Sequence, residues 1–359
     1  MKYKYWLANI SGIGNKKIDK LLQIVKTPEE LYQTKDSFIR KLSCLSQADK
    51  ESIIESRKHW NLDGSYENLL QKGIAIYTKD EKEYPPSLKN IADPPYQIYV
   101  KGRTPDISKK SVAIVGAREC SEYGKAISKE IGYVLSQNDI QVISGLARGI
   151  DTYGHVGAIH ANKDTYAVLG SGVDVCYPIE NRKIYDRICE NGGVISEYPP
   201  STKPQSRLFP ARNRIISALS DIVILVEARE KSGSLITADF ALEQGKDIYA
   251  VPGRVNDSLS AGCNRLISQG AGIFLSVEDF IKMNGFCMKN EQSKEIKAKN
   301  LLEKQEMVVY SCLDLHPKSM DEIISETGIG LSELSMILID LQQKEIIRES
   351  FKNYYIRSF

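Results

Sequence analysis

Apolar residues along the chain follow two different periods, and these periods divide it into regions of different architecture. Over residues 1–70 they recur at helical spacing. The run Thr27-Pro28-Glu29-Glu30 is a helix start, with Thr27 as the N-cap, Pro28 at the first helical position and Glu30 placed to complete a capping box. We therefore predict a small helical domain of the helix-hairpin-helix or SAM-like kind over residues 1–70.

The middle of the chain alternates short apolar runs with helical stretches. Seven such runs begin 24 to 30 residues apart, which is the length of a βαβ unit. Because they are apolar almost throughout, we expect strands that are buried on both faces. We predict an α/β fold over residues 71–285, an extended Rossmann-like, doubly wound and mostly parallel sheet. The predicted strands are 111–116, 141–145, 165–170, 193–198, 221–227, 247–251 and 272–275.

Two further segments complete the pattern. A stretch over 80–108 contains Tyr84-Pro85-Pro86 and Asp93-Pro94-Pro95, so we expect it to be extended rather than helical. Residues 286–300 are charged and predict a linker. The last region, 301–359, has three helical stretches, the capping box Ser319-Met320-Asp321-Glu322 and a hairpin that turns near Lys352-Asn353. That order of elements predicts a winged-helix domain.

The composition narrows the class of protein. With 42% hydrophobic and 26% charged residues the chain is typical of soluble globular proteins, and no apolar run reaches the length of a membrane span. The amino terminus lacks the pattern of a signal peptide, and seven scattered cysteines contain no C-x-x-C pair. These features favour a cytoplasmic protein. A net charge of +2 means that any polyanion must be bound by basic groups gathered locally.

Glycines and arginines follow the predicted strands where a parallel sheet binds its ligands, beyond the carboxyl ends. They lie in the turns Gly116-Ala117-Arg118, Ser144-Gly145-Leu146-Ala147-Arg148-Gly149, Gly170-Ser171-Gly172, Arg212-Asn213-Arg214, Arg229 with Ser232-Gly233-Ser234, and Gly253-Arg254. Any one arginine more often caps a backbone carbonyl or pairs with an acid, such as Asp151, Asp174, Glu197 or Glu227. Six arginines on one rim favour an anionic, phosphate-bearing ligand.

Other ligands and chemistries fit the motifs less well. The turn after the first strand has one glycine where the dinucleotide fingerprint has three, and no P-loop sequence is present. His155 and His160 are five residues apart, so on a helix they face different ways and predict packing or capping rather than a metal site. Asp151 and Asp174 follow glycine turns, where a carboxylate commonly holds backbone amides. We predict no cofactor, no metal and no catalysis.

The flanking regions differ in charge. The run 10–22 has the shape of a helix-hairpin-helix element in which Lys16, Lys17 and Lys20 follow a glycine turn. It suits contact with a nucleic-acid backbone, and a simple helical hairpin explains it equally well. Residues 301–359 contain six basic and ten acidic residues, and the predicted recognition helix 331–344 is net negative. Such a helix would be repelled by phosphates, so we predict that this domain contacts proteins.

Five motifs in order resemble the DNA processing protein A (DprA/Smf) family: 115–124, 144–151, 170–178, 209–217 and 232–238. The resemblance implies an extended Rossmann domain that binds single-stranded DNA in a positive pocket, forms homodimers and hands DNA to the RecA recombinase during natural transformation. The family's pocket arginine maps to Arg118, its first-motif serine is Ala117 here, and Lys183 is the candidate for a pocket lysine.

We therefore predict a single-stranded-DNA-binding protein that protects incoming DNA and loads RecA, not an enzyme. Arg118 with the amides of Gly116 and Ala117 would bind one phosphate, and Arg148, Arg212, Arg214 and the turn Ser232–Ser234 would bind its neighbours. The full predicted site is Gly116, Ala117, Arg118, Ser144, Gly145, Arg148, Gly149, Gly170, Lys183, Arg212, Asn213, Arg214, Ser232, Gly233 and Ser234.

Two alternatives remain open. One is a nucleotide hydrolase similar to the lysine-decarboxylase-like (LOG) phosphoribohydrolases, which depend on a glutamate three residues after the threonine of the phosphate loop. Here Phe240 stands at that spacing from Thr237, and Asp239 is one position short. The other is a scaffold for other proteins whose pocket has lost its ligand.

Overall fold

A computed structural model describes residues 1–286, 304–314, 317–344 and 346–357. From residue 287 on, the predicted linker 286–300 lies outside these described residues. Within them, no helix has both the length and the apolar character that a membrane crossing requires.

The first seventy residues form helices, as predicted from their apolar spacing. Their bounds are α1 (Lys2–Ala8), α2 (Asn15–Val25), α3 (Pro28–Gln33), α4 (Asp36–Lys41), α5 (Gln47–His59) and α6 (Leu62–Gln71). The α3 start is confirmed, because the Glu30 amide donates to Thr27 Oγ1 at 3.1 Å and Pro28 occupies the first turn. Of the predicted capping box, only this Thr27 half forms. The helices enclose a core around Trp6, Leu21 and Ile53.

All seven predicted strands are present in one nine-stranded sheet. They are β3 (Ser111–Val115), β4 (Gln141–Ser144), β5 (Thr165–Val168), β6 (Gly193–Ser196), β7 (Ile222–Leu225), β8 (Asp247–Ala250) and β9 (Gly272–Ile273). Each ends one or two residues before its predicted end. Leu169, Val226 and Val251 extend the apolar runs because they are buried in the turns beyond the parallel ladder. The predicted mostly parallel α/β sheet is confirmed.

Two antiparallel strands were not predicted. β1 (Ile74–Thr78) pairs with β2 (Gln97–Gly102), and β2 pairs with β6, so the sheet order is β1-β2-β6-β5-β4-β3-β7-β8-β9. The stretch over 80–108, predicted to be extended, contains β2 and also a 3-10 helix at Pro86–Asn90. Pro85, Pro86, Pro94 and Pro95 lie between the two strands and Pro105 follows β2, and these prolines obscured the pairing in the sequence.

Helices cover both faces of the sheet. They are α7 (Glu122–Gln137), α8 (Ile150–His160), α9 (Arg182–Asn191), α10 (Leu208–Ala218), α11 (Gly233–Glu243), α12 (Ala261–Ser268) and α13 (Val277–Met283). Val112 and Ile114 of β3 pack in one core with Ile131 of α7, while Ala113 and Val115 pack in another with Ile215 of α10. Alternate residues of a strand thus serve opposite layers, as expected for a doubly wound sheet.

Helices α7 and α8 cross at unusually short range because glycines face each other. A Cβ on Gly157 would lie 2.1 Å from the Lys129 carbonyl oxygen, and one on Gly132 would lie 2.2 Å from that of Gly154. Gly157→Ala is expected to lower the free energy of unfolding by about 1–3 kcal/mol, since the helices must separate to admit a methyl group. Urea unfolding measures this as a lower midpoint at unchanged slope.

Gly233→Ala is the matched control for that substitution, because nothing lies within 4 Å of its added Cβ. A Gly157→Ala protein as stable as the Gly233→Ala protein would contradict the close helix contact.

The last region contains α14 (Lys304–Cys312), β10 (Lys318–Ser319), α15 (Met320–Thr327), α16 (Leu331–Gln343), β11 (Ile347–Phe351) and β12 (Tyr354–Arg357). The predicted capping box at Ser319 and Glu322 is confirmed, as is the hairpin, whose turn holds Asn353 at a φ of 64°. Strand β10, which was not predicted, pairs with β12 and makes a three-stranded antiparallel sheet. The winged-helix assignment of this region stays a prediction.

Candidate functional site

A pocket of about 600 Å³ opens at the carboxyl ends of β3 and β7, the edge at which a parallel sheet binds its ligands. Four basic side chains line it, Arg118, Arg212, Arg229 and Lys231, and two acidic ones, Glu119 and Asp151. The structure brings together eight residues of the predicted site: Gly116, Ala117, Arg118, Arg212, Asn213, Ser232, Gly233 and Ser234.

The turn Ser232–Ser234 forms the amino-terminal end of α11 on the pocket wall. Ser232 is the N-cap, and its Oγ lies 2.8 Å from Ser234 Oγ and accepts from the Ser234 amide at 3.3 Å. The Asn213 side-chain amide donates to the Gly233 carbonyl at 3.2 Å and so anchors the turn to α10. A helix start of this kind carries partial positive charge and suits a phosphate oxygen.

Arg118 extends from the β3 turn over an aromatic wall. Its side chain is exposed, and its guanidinium carbon lies 5.4 Å from the ring centroid of Phe209. The Phe209 ring in turn stacks on Tyr177, with centroids 5.6 Å apart and planes inclined by 27°. Cation and ring faces are therefore stacked in series on one side of the pocket.

The amide of Ala117 does not have the predicted role. It donates to the Glu227 carbonyl at 2.7 Å, a bond that holds the β3 turn against the β7 turn. The prediction that this amide binds phosphate is therefore wrong. The Glu227 carboxylate accepts from the Ser121 amide at 2.9 Å and from its hydroxyl, so this acid supports the start of α7.

Arg212 lies at the floor of the pocket, where it joins two strand ends. Its Nη1 donates to the Gly145 carbonyl at 2.8 Å and to the Val168 carbonyl, so it connects β4 with β5. Burial lowers the pKa of Arg212 to about 10, a shift that the Asp151 carboxylate opposes and Arg118 increases. Nε has no partner among the described residues. Arg212 thus lines the site, and its Nη1 donors hold the ends of β4 and β5 together.

Arg214 lies outside the pocket lining and is bound to an acid, which favours a structural role over the predicted DNA contact. Its side chain is 9% exposed and binds the Glu197 carboxylate in a two-pronged pair, with both N–O distances 2.7 Å. Its Nε donates to the Asp93 carbonyl at 3.0 Å, and its Nη1 to the Ala211 carbonyl at the same distance. Of the alternatives for a single arginine, the structure thus supports pairing with an acid, here Glu197.

Six more predicted residues lie outside the pocket lining, namely Ser144, Gly145, Arg148, Gly149, Gly170 and Lys183. Most have clear structural roles. The exposed Arg148 pairs with Glu180 at 2.5 Å, and Ser144 Oγ donates to the Ile114 carbonyl at 2.6 Å. Gly149 has a φ of 75°, which favours glycine, and a Cβ added there would lie 2.2 Å from the Ala117 carbonyl oxygen. A Cβ added at Gly170 would lie 2.8 Å from the Phe209 ring. Lys183 is exposed on α9.

Asp151 and Asp174 hold backbone amides, and His155 is a packing residue, as predicted. The Asp151 carboxylate accepts from the Gly145 amide at 3.0 Å, and that of Asp174 from the Ser201 amide at 2.6 Å. Burial raises the pKa of Asp151. His155 is fully buried, bonds Thr165 Oγ1 at 2.8 Å, and has its pKa lowered to about 3 by burial. It is a core residue.

Sequence reasoning missed the aromatic wall and one lysine. Phe209 lies on α10 with Arg212, and Tyr177 lies in the loop after β5 with Gly170, but only their stacked contact reveals their role. Lys231 directly precedes the Ser232–Ser234 turn, so its position in the sequence was a usable signal. Thr237 lines the pocket, whereas Asp239, the acid one position short of the place that the hydrolase alternative requires, is exposed and does not line it.

Comparison with known proteins agrees with these features. The family model of DNA recombination-mediator protein A matches residues 75–285. The chain is 33% identical over 299 residues to Protein Smf of Synechocystis sp., which covers 82% of this chain and 75% of the relative. It is 35% identical over 280 residues to DNA processing protein DprA of Streptococcus pneumoniae, covering 78% and 96%.

Two solved structures are also similar. The X-ray structure of DNA processing protein A from Streptococcus pneumoniae has 34% identity and a TM-score of 0.68, covering 79% of this chain and 97% of that one. DNA processing protein A from Helicobacter pylori, described for its single-stranded DNA binding mode, has 29% identity and a TM-score of 0.54, covering 60% and 97%.

Proposed function

Because this chain belongs to the family of DNA recombination-mediator protein A, we propose that it binds single-stranded DNA in the pocket at the carboxyl ends of β3 and β7. One observation carries the proposal. Three exposed basic side chains, Arg118, Arg229 and Lys231, and the start of α11 surround an aromatic wall of Phe209 and Tyr177.

The charges of this pocket suit the sugar-phosphate backbone. Arg118 and Lys231 form no ion pair in the described parts of the chain, and Arg229 is 3.7 Å from the exposed Glu119. Arg118 and Lys231 are therefore available to phosphates, and because the Arg229–Glu119 pair is long and exposed, a phosphate can take the place of that carboxylate. The Ser232–Ser234 turn adds fixed donors beside them.

The aromatic wall favours a single strand over a duplex. Tyr177 is 45% exposed and extends the stack that begins with Arg118 and Phe209. A base can lie on such a surface only when it is unstacked from its neighbours, as in single strands. Stacking is also tolerant of sequence, so we expect binding without strong sequence preference.

Fluorescence anisotropy with labelled oligo-dT at several salt concentrations tests this function. Three phosphate contacts predict that log K falls with log salt at a slope of about −2, since each contact contributes about −0.7 for single strands. A duplex of the same length should bind more weakly. Binding that is insensitive to salt, or equal for the duplex, would contradict the proposal.

Phe209→Leu is expected to weaken oligo-dT binding about tenfold, because it removes the ring between Arg118 and Tyr177 while keeping an apolar side chain. The salt slope should not change, since no charge is lost. Phe240→Leu is the matched control, as Phe240 lies on α11 outside the pocket lining. An equal loss in both variants would mean that Phe209 acts only through the fold.

We infer further that the bound strand is passed to a RecA recombinase, and that the protein protects incoming DNA during natural transformation. The family's description as a recombination mediator supports a role in recombination. A strand-exchange assay on DNA coated with single-strand-binding protein tests this step. Stimulation of RecA by the wild type is expected, and stimulation that survives loss of oligo-dT binding would contradict it.

We also propose a homodimer. Strand β9 is one end of the nine-stranded sheet, and Ile273, Leu275 and Met283 near it are exposed apolar residues. An open edge strand with apolar neighbours is suited to pairing with a second copy. Light scattering tests it, with an expected mass of twice 40.3 kDa.

We infer a binding protein rather than a nucleotide hydrolase. The carboxylate that the hydrolase alternative requires is absent from the position three residues after Thr237, and Asp239 is exposed on α11. Release of free base from a nucleoside monophosphate by the purified chain would revive that alternative.

A further inference from the structure

A second, smaller pocket of about 190 Å³ lies where the helical domain meets the sheet. We call it the aromatic crevice, and define it by Tyr5, Trp60, Leu69, Lys72 and Pro200. Tyr5 and Trp60 meet edge to face, with ring centroids 5.6 Å apart. Trp60 Nε1 is buried and has no acceptor in the described parts of the chain. The crevice is thus lined by two aromatic side chains.

One loop connects the aromatic crevice to the pocket. Residues 197–207 run from the end of β6 to the start of α10, so they lie at the same edge of the sheet as the pocket. Pro200 lines the crevice, whereas Pro204 and Ser206 line the pocket. The two prolines are four positions apart in the chain, so their Cα atoms are at most about 14 Å apart.

The loop is anchored and carries positive charge. The Ser201 amide donates to Asp174 at 2.6 Å, and the Gly172 amide donates to the Thr202 carbonyl at 3.0 Å. Lys203 and Arg207 are exposed, and neither forms an ion pair with any described residue. A fixed loop with two available cations between two pockets is suited to a strand that crosses it.

We propose that single-stranded DNA leaves the pocket across this loop, with its phosphates on Lys203 and Arg207, and places an unstacked base in the aromatic crevice beside Trp60. The inference rests on the proposed function, because the strand must first occupy the pocket. The junction between the helical domain and the sheet would then also hold DNA. It would do so by the same means as the pocket, with aromatic rings for a base and cations for phosphates.

Intrinsic fluorescence can test the crevice directly. The chain has two tryptophans, and the other one, Trp6, is fully buried with its Nε1 bonded to Ser56 at 3.0 Å. Oligo-dT of about 4 nucleotides is expected to bind without quenching, and oligo-dT of about 16 nucleotides is expected to quench Trp60, lengths that bracket typical single-strand sites. Trp60→Phe should remove the quenching and leave the Trp6 emission.

The loop is tested by charge removal at exposed positions, which does not endanger the fold. Lys203→Gln with Arg207→Gln should weaken binding of the long oligonucleotide about tenfold and of the short one less than about threefold. Lys109→Gln with Lys110→Gln is the matched control. These two lysines directly precede β3 and so lie at the opposite, amino edge of the sheet.

The outcomes separate the two proposals. Tight binding of long oligo-dT without quenching overturns the crevice and leaves the pocket intact. Equal quenching by short and long oligonucleotides overturns the path over the loop. An absence of binding at any length overturns both the proposed function and this inference.

Discussion

Arg118→Ala is expected to reduce the affinity for oligo-dT about 100-fold, the largest effect of any single change in the pocket. The guanidinium is exposed, forms no ion pair in the described chain and lies 5.4 Å over the Phe209 ring. A charge-assisted bond to phosphate contributes about 1.5–3 kcal/mol and a cation–π contact about 0.5–2 kcal/mol. A loss of about 3 kcal/mol corresponds to two orders of magnitude in Kd, measured by fluorescence anisotropy.

Arg148→Ala is the matched control for Arg118→Ala. It removes another exposed arginine from the same edge of the sheet, but one that is paired with Glu180 and lies outside the pocket lining. Its affinity should stay within about twofold of the wild type. The salt slope should become shallower by about 0.7 for Arg118→Ala alone. Wild-type binding by Arg118→Ala would show that the pocket is not the DNA site.

Arg214→Ala is expected to lower the free energy of unfolding by about 3–5 kcal/mol. Both partners of the pair are buried, with side-chain exposures of 9% for Arg214 and 10% for Glu197. The substitution leaves the Glu197 carboxylate without its cation, and the Asp93 carbonyl without its donor. Urea unfolding measures the loss.

A second variant distinguishes a structural role for Arg214 from a DNA contact. Arg214→Met with Glu197→Leu replaces the buried pair by apolar side chains, so it should lose less than half as much stability as Arg214→Ala. Its affinity for oligo-dT should match the wild type, because neither side chain lines the pocket. A stable double variant that fails to bind DNA would restore the predicted contact.

Much of the fold could be predicted because it depends on local pattern. A strand covered on both faces must be apolar throughout, so β3 to β9 were recognisable as runs, and turn glycines marked the carboxyl edge. Strands β1 and β2 were not predicted. They pair with each other across a proline-rich stretch, and β2 also pairs with β6, which is remote in the sequence. The Phe209–Tyr177 wall was not predicted for a similar reason, since one ring comes from α10 and the other from the loop after β5.

The sequence by itself determined the class of fold, the edge at which the site lies and the abundance of arginine there. Only the tertiary structure decided which arginines are available to a ligand. Arg118 extends over an aromatic ring, the Nη1 of Arg212 bonds carbonyls at the ends of β4 and β5, and Arg214 is paired with Glu197. The physical reason is that a long cationic side chain takes its partners from distant parts of the chain, and burial makes those partnerships obligatory.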